Sequence, residues 1–172
     1  MVEMRLAAVR VELPTNNPVV LLQEVEGARR TLPIFIGAPE ATAIAFALQG
    51  VATARPMTHD LLRDVLENLG AILERVVITE LRMSEDGRGG TYYAELHLRQ
   101  GGQSQTVSSR PSDAIALAAR TSSPIYAEEE LIDEAGLVME AEDEEEAAAP
   151  EELVSQFRQF IEGVRPEDFG ET

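Results

Sequence analysis

Residues 73–99 read LERVVITELRM-SEDGRGG-TYYAELHLR, and this stretch decides the fold class. Leu73–Met83 and Thr91–Arg99 have the length and the β-branched and aromatic content of strands. Between them, Asp86–Gly90 is rich in glycine, which predicts a flexible turn that reverses the chain. A glycine pair then leads into Gln103–Ser108. The sequence therefore predicts an antiparallel meander of three strands.

The chain before the meander predicts three further strands and two helices. Met4–Leu13 alternates apolar and polar residues, and Val19–Val25 is a second apolar run. The third strand, around Leu32, Ile34 and Ile36, contains Pro33, which favours the edge of a sheet because proline donates no ladder hydrogen bond. The two helices are expected at Ala41–Leu48, opened by Gly37–Glu40, and from Thr58 to the stop at Gly70.

After the meander, a helix is expected between Pro111 and Pro124, then a short strand at Ile125–Ala127 and a helix at Glu128–Leu137. These elements predict an α+β fold, an antiparallel-rich mixed sheet packed by helices. We divide the chain into a domain at 1–137, an acidic linker at 138–150, and a tethered amphipathic C-terminal helix with its tail at 151–172. The apolar face of that last helix comprises Leu153, Val154, Phe157, Phe160 and Ile161.

Composition narrows the class of protein. Apolar residues make up 44% of the chain, but there is no Trp and there are only eight Phe and Tyr, so the core must be aliphatic. The absence of cysteine excludes disulfides, thiolate zinc sites and a cysteine nucleophile. No apolar run is long enough to span a membrane, and we expect a soluble, cytoplasmic protein without membrane partners.

The net charge of −17 belongs mainly to the C-terminal quarter. Residues 1–127 hold 12 arginines and 14 acidic residues, whereas residues 128–172 hold 2 arginines and 17 acidic residues. A nearly neutral body with an acidic tail leaves nucleic acid open as a partner, since binding to phosphates needs local rather than overall positive charge.

Two short runs share one pattern at predicted helix starts: Arg55-Pro56-Met57-Thr58-His59-Asp60 and Arg110-Pro111-Ser112-Asp113. In each, an arginine and a proline precede a hydroxyl residue and an aspartate. The structural interpretation makes Thr58 and Ser112 the N-caps, with the aspartates complementing the helix dipoles. The functional interpretation uses the same groups for phosphate chemistry.

The ordered motifs resemble the bifunctional nuclease domain family over roughly residues 4–130. The resemblance is carried by Leu32–Gly37 with Glu40-Ala41, Arg55–Leu61, Thr91–Ala94 and Arg110–Ala118. The ending at 164–169 resembles actinobacterial members in particular. This resemblance implies an α+β domain that assembles as a homo-oligomer and hydrolyses both DNA and RNA. Two departures are Ser108, where many members carry aspartate, and the lack of an excinuclease-type helical hairpin.

Phosphodiester hydrolysis needs an activated water, stabilisation of phosphoryl charge and usually a divalent cation. The carboxylates nearest the motifs are the candidate ligands of Mg²⁺ or Mn²⁺. All candidates converge only if the two helix starts face each other. The catalytic candidates are Glu40, His59, Asp60 and Asp113; the phosphate-binding candidates are Arg55, Arg110, Thr58 and Ser112; the metal-binding candidates are Glu40, Asp60 and Asp113.

The alternative is a non-catalytic binding or regulatory protein that keeps the fold. It would use its acidic tail and C-terminal helix for contacts with a protein partner. His97 is expected to be a histidine of the sheet surface rather than a ligand. Tyr92 and Tyr93 alternate faces of a strand, so one of them is a candidate to stack on a base, although strand aromatics usually pack.

Overall fold

One curled sheet organises the part of the chain that the computed structural model describes, residues 1–12, 17–86 and 89–138. Its strand order is β3-β2-β1-β7-β4-β5-β6. The elements, in chain order, are β1 Val2–Glu12, β2 Asn17–Glu24, β3 Thr31–Phe35, α1 Ala38–Leu48, α2 Thr58–Asn68, β4 Ala71–Met83, β5 Gly90–Gln100, β6 Gln103–Ser109, α3 Pro111–Thr121, β7 Ile125–Ala127 and α4 Glu129–Ala135.

The pairing confirms the predicted α+β class and the antiparallel-rich mixed sheet. Within the described residues every neighbouring pair of strands is antiparallel except β4 and β7, which run parallel with Val76 opposite Ile125. The meander predicted from residues 73–99 forms β4 and β5. Pro33 lies in β3, at one edge of the sheet, as its missing N–H requires.

The core is aliphatic, as the composition predicts, and α3 contributes more buried residues than any other described helix. Seven of its eleven residues are buried, including the run Ala114–Ala118. This helix packs on β4, β5 and α1, while α1 packs on β2. Small alanine side chains let α3 approach the sheet closely, so its position is tightly constrained by packing.

Helix α2 lies outside this core and contacts α3 and β4. Among its residues only His59 is buried. Large apolar side chains on its outer side and at its C-cap are exposed, namely Leu61, Leu62, Val65 and, at the C-cap, Leu69. We call these four residues the α2 stripe. An apolar stripe of this kind is typical of a surface that meets another protein surface.

The described chain ends beside the free edge of β3. The helix predicted at Glu128–Leu137 ends at Ala135, and Leu137 instead exchanges two backbone hydrogen bonds with Thr31. The predicted acidic linker, apart from Val138, and the predicted C-terminal helix lie outside the described residues. No helix within the described ranges is long and apolar enough to cross a bilayer.

Candidate active site at three helix starts

The backbone sets the starts of α2 and α3 one or two residues earlier than the hydroxyl groups suggest. The N-caps are Met57 and Arg110, so the expectation that Thr58 and Ser112 are N-caps is wrong. Arg110 precedes a proline, which holds it in extended conformation and makes it the last residue before the helix. In α2, the Asp60 carboxylate accepts the Met57 N–H at 2.9 Å, which fixes the boundary there.

A four-residue cluster joins the starts of α1, α2 and α3: Glu40, His59, Arg110 and Asp113. His59 Nε2 lies 3.0 Å from Asp113 Oδ1, across 54 residues of sequence. Arg110 donates from Nε to Asp113 Oδ2 at 2.7 Å and from Nη2 to Asp113 Oδ1 at 3.0 Å. Its Nη2 also lies 2.9 Å from Glu40 Oε1. The first and second motifs therefore meet, as their use in a single site requires.

The side chains of the cluster range from buried to exposed. The His59 side chain is 10% exposed, whereas that of Arg110 is 65% exposed. Burial opposes ionisation of Asp113, but hydrogen bonds from Arg110 and His59 outweigh it and hold the pKa of Asp113 below its ordinary value. The aspartate is therefore ionised at neutral pH and accepts hydrogen bonds from both neighbours.

Asp60, by contrast, is committed to contacts that hold the fold. Its Oδ1 accepts from Nε of Arg120 at 2.6 Å, and its Oδ2 accepts the Met57 N–H. Arg120 also donates to the Ala116 carbonyl. Burial raises the pKa of Asp60, but the bonds from Arg120 and Met57 more than compensate and leave it lowered. The structure does not bring Asp60 into the cluster, and the motifs alone give no signal that Arg120 is its partner.

The other predicted site residues are dispersed. Arg55 is exposed and forms no ion pair with any described residue, so its cation is available to a ligand. Thr58 is exposed, whereas Ser112, the second residue of α3, is buried. Ser108 is exposed on β6, opposite Glu95 of β5. In the described part of the chain, none of these four side chains forms a hydrogen bond or an ion pair with the cluster.

One sequence signal links the three helices and could have indicated the cluster. Glu40, Asp60 and Asp113 each occupy the third position of their helix, counted from the first helical residue. Glu40 folds back over its own N-cap, because a Cβ added at Gly37 would overlap Glu40 Oε2. The shared position marks all three carboxylates, but only the fold separates Asp60 from the other two.

The cluster does not fit a resident metal ion in this arrangement. Arg110 occupies an oxygen of Glu40 and both oxygens of Asp113, and Asp60 is engaged elsewhere. Across residues 1–12, 17–86 and 89–138, no group of three or more His, Asp or Glu side chains is placed to hold a metal. The carboxylate oxygens of Glu40 and Asp113 are held by the Arg110 guanidinium, which supplies the positive charge between them.

Comparison with known proteins identifies the family. The sequence model described as "Bifunctional nuclease domain" matches residues 20–140, more than half of the chain. The chain belongs to the bifunctional nuclease domain family. This finding confirms the resemblance carried by the motifs, and the match includes all four residues of the cluster.

Named relatives fall in two groups. An uncharacterized protein of Mycobacterium tuberculosis is 45% identical over 172 residues, covering 99% of both chains. Bifunctional nuclease 2 of Arabidopsis thaliana is 32% identical over 118 residues, which cover 66% of this chain and 34% of the plant protein. Bifunctional nuclease 2 of Oryza sativa is 30% identical over 112 residues, covering 63% and 33% respectively. The matched region thus spans about a third of these plant nucleases.

Proposed function

We propose that this protein hydrolyses phosphodiester bonds in DNA and RNA with low sequence preference. Membership of the bifunctional nuclease domain family and the names of its plant relatives support a nuclease. The observation that carries the proposal is the 3.0 Å contact between His59 Nε2 and Asp113 Oδ1, beside an exposed arginine. A histidine, a carboxylate that orients it, and a cation for phosphate form a set suited to general-base hydrolysis.

His59 is the proposed general base. An ionised carboxylate only accepts hydrogen bonds, so in the neutral imidazole Asp113 places the ring proton on Nε2 and leaves Nδ1 as the acceptor. In the described residues Nδ1 has no hydrogen-bond partner, so it is free to take a proton from water. The resulting hydroxide attacks phosphorus while the bond to the leaving oxygen breaks, and that oxygen keeps the bonding electron pair and takes up a proton from solvent. Asp113 stabilises the imidazolium that forms.

Arg110 is the proposed phosphate-binding residue. Its guanidinium is the most exposed member of the cluster, and Nη1 has no partner among the described residues. Two N–H groups on Nη1 are therefore available to phosphoryl oxygens while Nε and Nη2 keep their carboxylate partners. Arg55, exposed two residues before the N-cap of α2, is a second cation for the nucleic-acid backbone.

Several finer expectations stay predictions. Dependence on Mg²⁺ or Mn²⁺ follows from the reaction class and not from the arrangement of the donors. Assembly as a homo-oligomer, binding of a protein partner by the C-terminal helix, and a cytoplasmic location are likewise predicted from the sequence. The α2 stripe is the surface of the described domain best suited to subunit contact.

The test compares two histidines. We would measure cleavage of labelled single-stranded DNA and RNA by the parent, His59→Ala and His97→Ala, each with Mg²⁺, with Mn²⁺ and with EDTA. His97 is a matched control because it lies on β5, beside Glu95 and Arg75, away from the cluster. We expect His59→Ala to lower the rate by about 100-fold or more and His97→Ala to retain it.

Equal rates for the parent and His59→Ala would show that His59 is not the base and that the observed cleavage has another source. A parent that binds both nucleic acids but cleaves neither under any metal condition would favour the non-catalytic alternative.

A further inference from the structure

A cavity of about 440 Å³ adjoins the cluster where the end of β3, the start of β5 and the start of α3 meet. Its volume is in the range of sites that take small organic groups, about 300–1,000 Å³. Arg110 lines this cavity and also bonds the carboxylates of the cluster, so the two features share one cation. The remaining wall is largely apolar and includes Ile34, Phe35, Ile36, Tyr92 and Pro111.

Two aromatic side chains of this wall are accessible. Phe35, at the end of the edge strand β3, is 57% exposed. Tyr92, near the start of β5, is half-buried. The adjacent Tyr93 does not line the cavity and instead carries the Arg82 guanidinium 4.3 Å from its ring centre. The wall therefore offers two rings, from different strands, beside a phosphate-binding cation.

Aromatic rings beside a phosphate-binding cation fit a single nucleotide, which has a flat base and a charged phosphate. Flat nucleobases stack on aromatic side chains whatever their identity, which suits a nuclease with low sequence preference. The phosphate attached to the same nucleotide would lie near Nη1 of Arg110, the nitrogen without a partner among the described residues. Bases within a duplex are already stacked and paired, so they would reach the cavity only after unpairing.

We propose that this cavity binds an unpaired nucleobase, with Phe35 and Tyr92 contacting the base while Arg110 holds its phosphate. The preferred substrate is then a single strand of DNA or RNA. This inference rests on the proposed nuclease function and adds to it the substrate class and the residues that recognise the base.

The test uses the full chain and two single-stranded ligands of equal length and charge. One is a phosphorothioate oligothymidylate, which resists hydrolysis, and the other is the same backbone without bases. Binding is measured by fluorescence anisotropy for the parent, Phe35→Ala, Tyr92→Leu and the control Tyr93→Leu. We expect the parent to prefer the base-containing strand by about tenfold. Phe35→Ala and Tyr92→Leu should bring that preference close to one, and Tyr93→Leu should retain it.

Equal binding of the two strands by the parent would overturn the proposal, as would equal losses of preference in Tyr92→Leu and Tyr93→Leu. Since Tyr92 is half-buried, the folding of its variant is checked by circular dichroism. Phe35 is exposed, so Phe35→Ala should not disturb folding and gives a second test of the base site.

Cleavage of the unmodified strands separates this inference from the proposed function. Hydrolysis with equal rates and affinities for the two strands would overturn the base site and leave the nuclease function standing. Preference for the base-containing strand without hydrolysis of either would support the cavity as a binding site and overturn the nuclease function.

Discussion

The starts of α2 and α3 each place an aspartate at the third helical position, yet one carboxylate pairs with a buried arginine and the other with an exposed one. Asp60 binds Arg120, whose side chain is 5% exposed, and Asp113 binds Arg110, whose side chain is 65% exposed. A carboxylate held by a buried cation has its hydrogen-bonding capacity used within the protein. A carboxylate held by an exposed cation stays beside a surface where a substrate can bind. The exposure of the partner thus distinguishes the structural aspartate from the candidate catalytic one.

The largest expected effect comes from exchanging each aspartate for its isosteric amide. Asp113→Asn removes the negative charge and replaces one acceptor oxygen with an NH2 donor, so His59 is no longer held in the orientation and tautomer that the carboxylate imposes. We expect it to lower the rate of single-strand cleavage by about 100-fold or more, with a smaller loss of unfolding free energy than Asp60→Asn because its partner Arg110 is exposed. Asp60→Asn leaves the buried Arg120 charge uncompensated. We expect it to destabilise the protein by about 2–4 kcal/mol while the rate per folded molecule stays near that of the parent.

Initial rates and urea unfolding of the same preparations check both halves of this expectation. Matching losses of rate in the two variants, at equal folded fractions, would remove the distinction between the helix starts.

A smaller effect is expected from the outer face of α2, which is exposed where most residues of α3 are buried. Leu61 and Leu69 are 56% and 62% exposed, so Leu61→Glu with Leu69→Glu should cost little stability in the isolated domain. If the α2 stripe forms the homo-oligomer contact, the double variant should weaken association by about tenfold or more. Light scattering during gel filtration gives the mass of each species.

The control is Met83→Glu, since Met83 is comparably exposed but lies at the end of β4. An oligomer that survives the double change on α2, or dissociates equally with Met83→Glu, would assign the contact to another surface.

The smallest expected effect is a dependence of the unfolding free energy on pH in the acidic range. The pKa of Asp60 is lowered in the folded protein from an ordinary value of 3.8, so its ion pair stabilises the fold fully above that value. As pH falls through the lowered pKa, Asp60 takes up a proton and the contribution is lost. The difference in unfolding free energy between the parent and Asp60→Asn should therefore be full at neutral pH and shrink below about pH 4. Urea unfolding over this pH range measures it, and a pH-independent difference would contradict the ion pair.

Particular elements show where prediction from the sequence succeeds. Ile125–Ala127 is bounded as predicted, and Pro33 lies on an edge strand for the reason given by its missing N–H. These features depend on residues close together in the chain. The N-caps were predicted wrongly at Thr58 and Ser112 because a hydroxyl near a helix start is a common cap. Proline geometry and the backbone contact of Asp60 decided those boundaries instead.

The sequence by itself determined the class of fold, the aliphatic core, the family and the set of candidate side chains. Local periodicity, turn residues and motif order carry that information. Only the tertiary structure decided which carboxylate meets His59. Asp113 is 54 residues away in the sequence, and it has the same residue type and the same helical position as Asp60, which does not meet the histidine. The close packing of α1 and α2 against α3 brings Glu40, His59, Arg110 and Asp113 together. The same packing buries Arg120 against Asp60 and so removes Asp60 from the site.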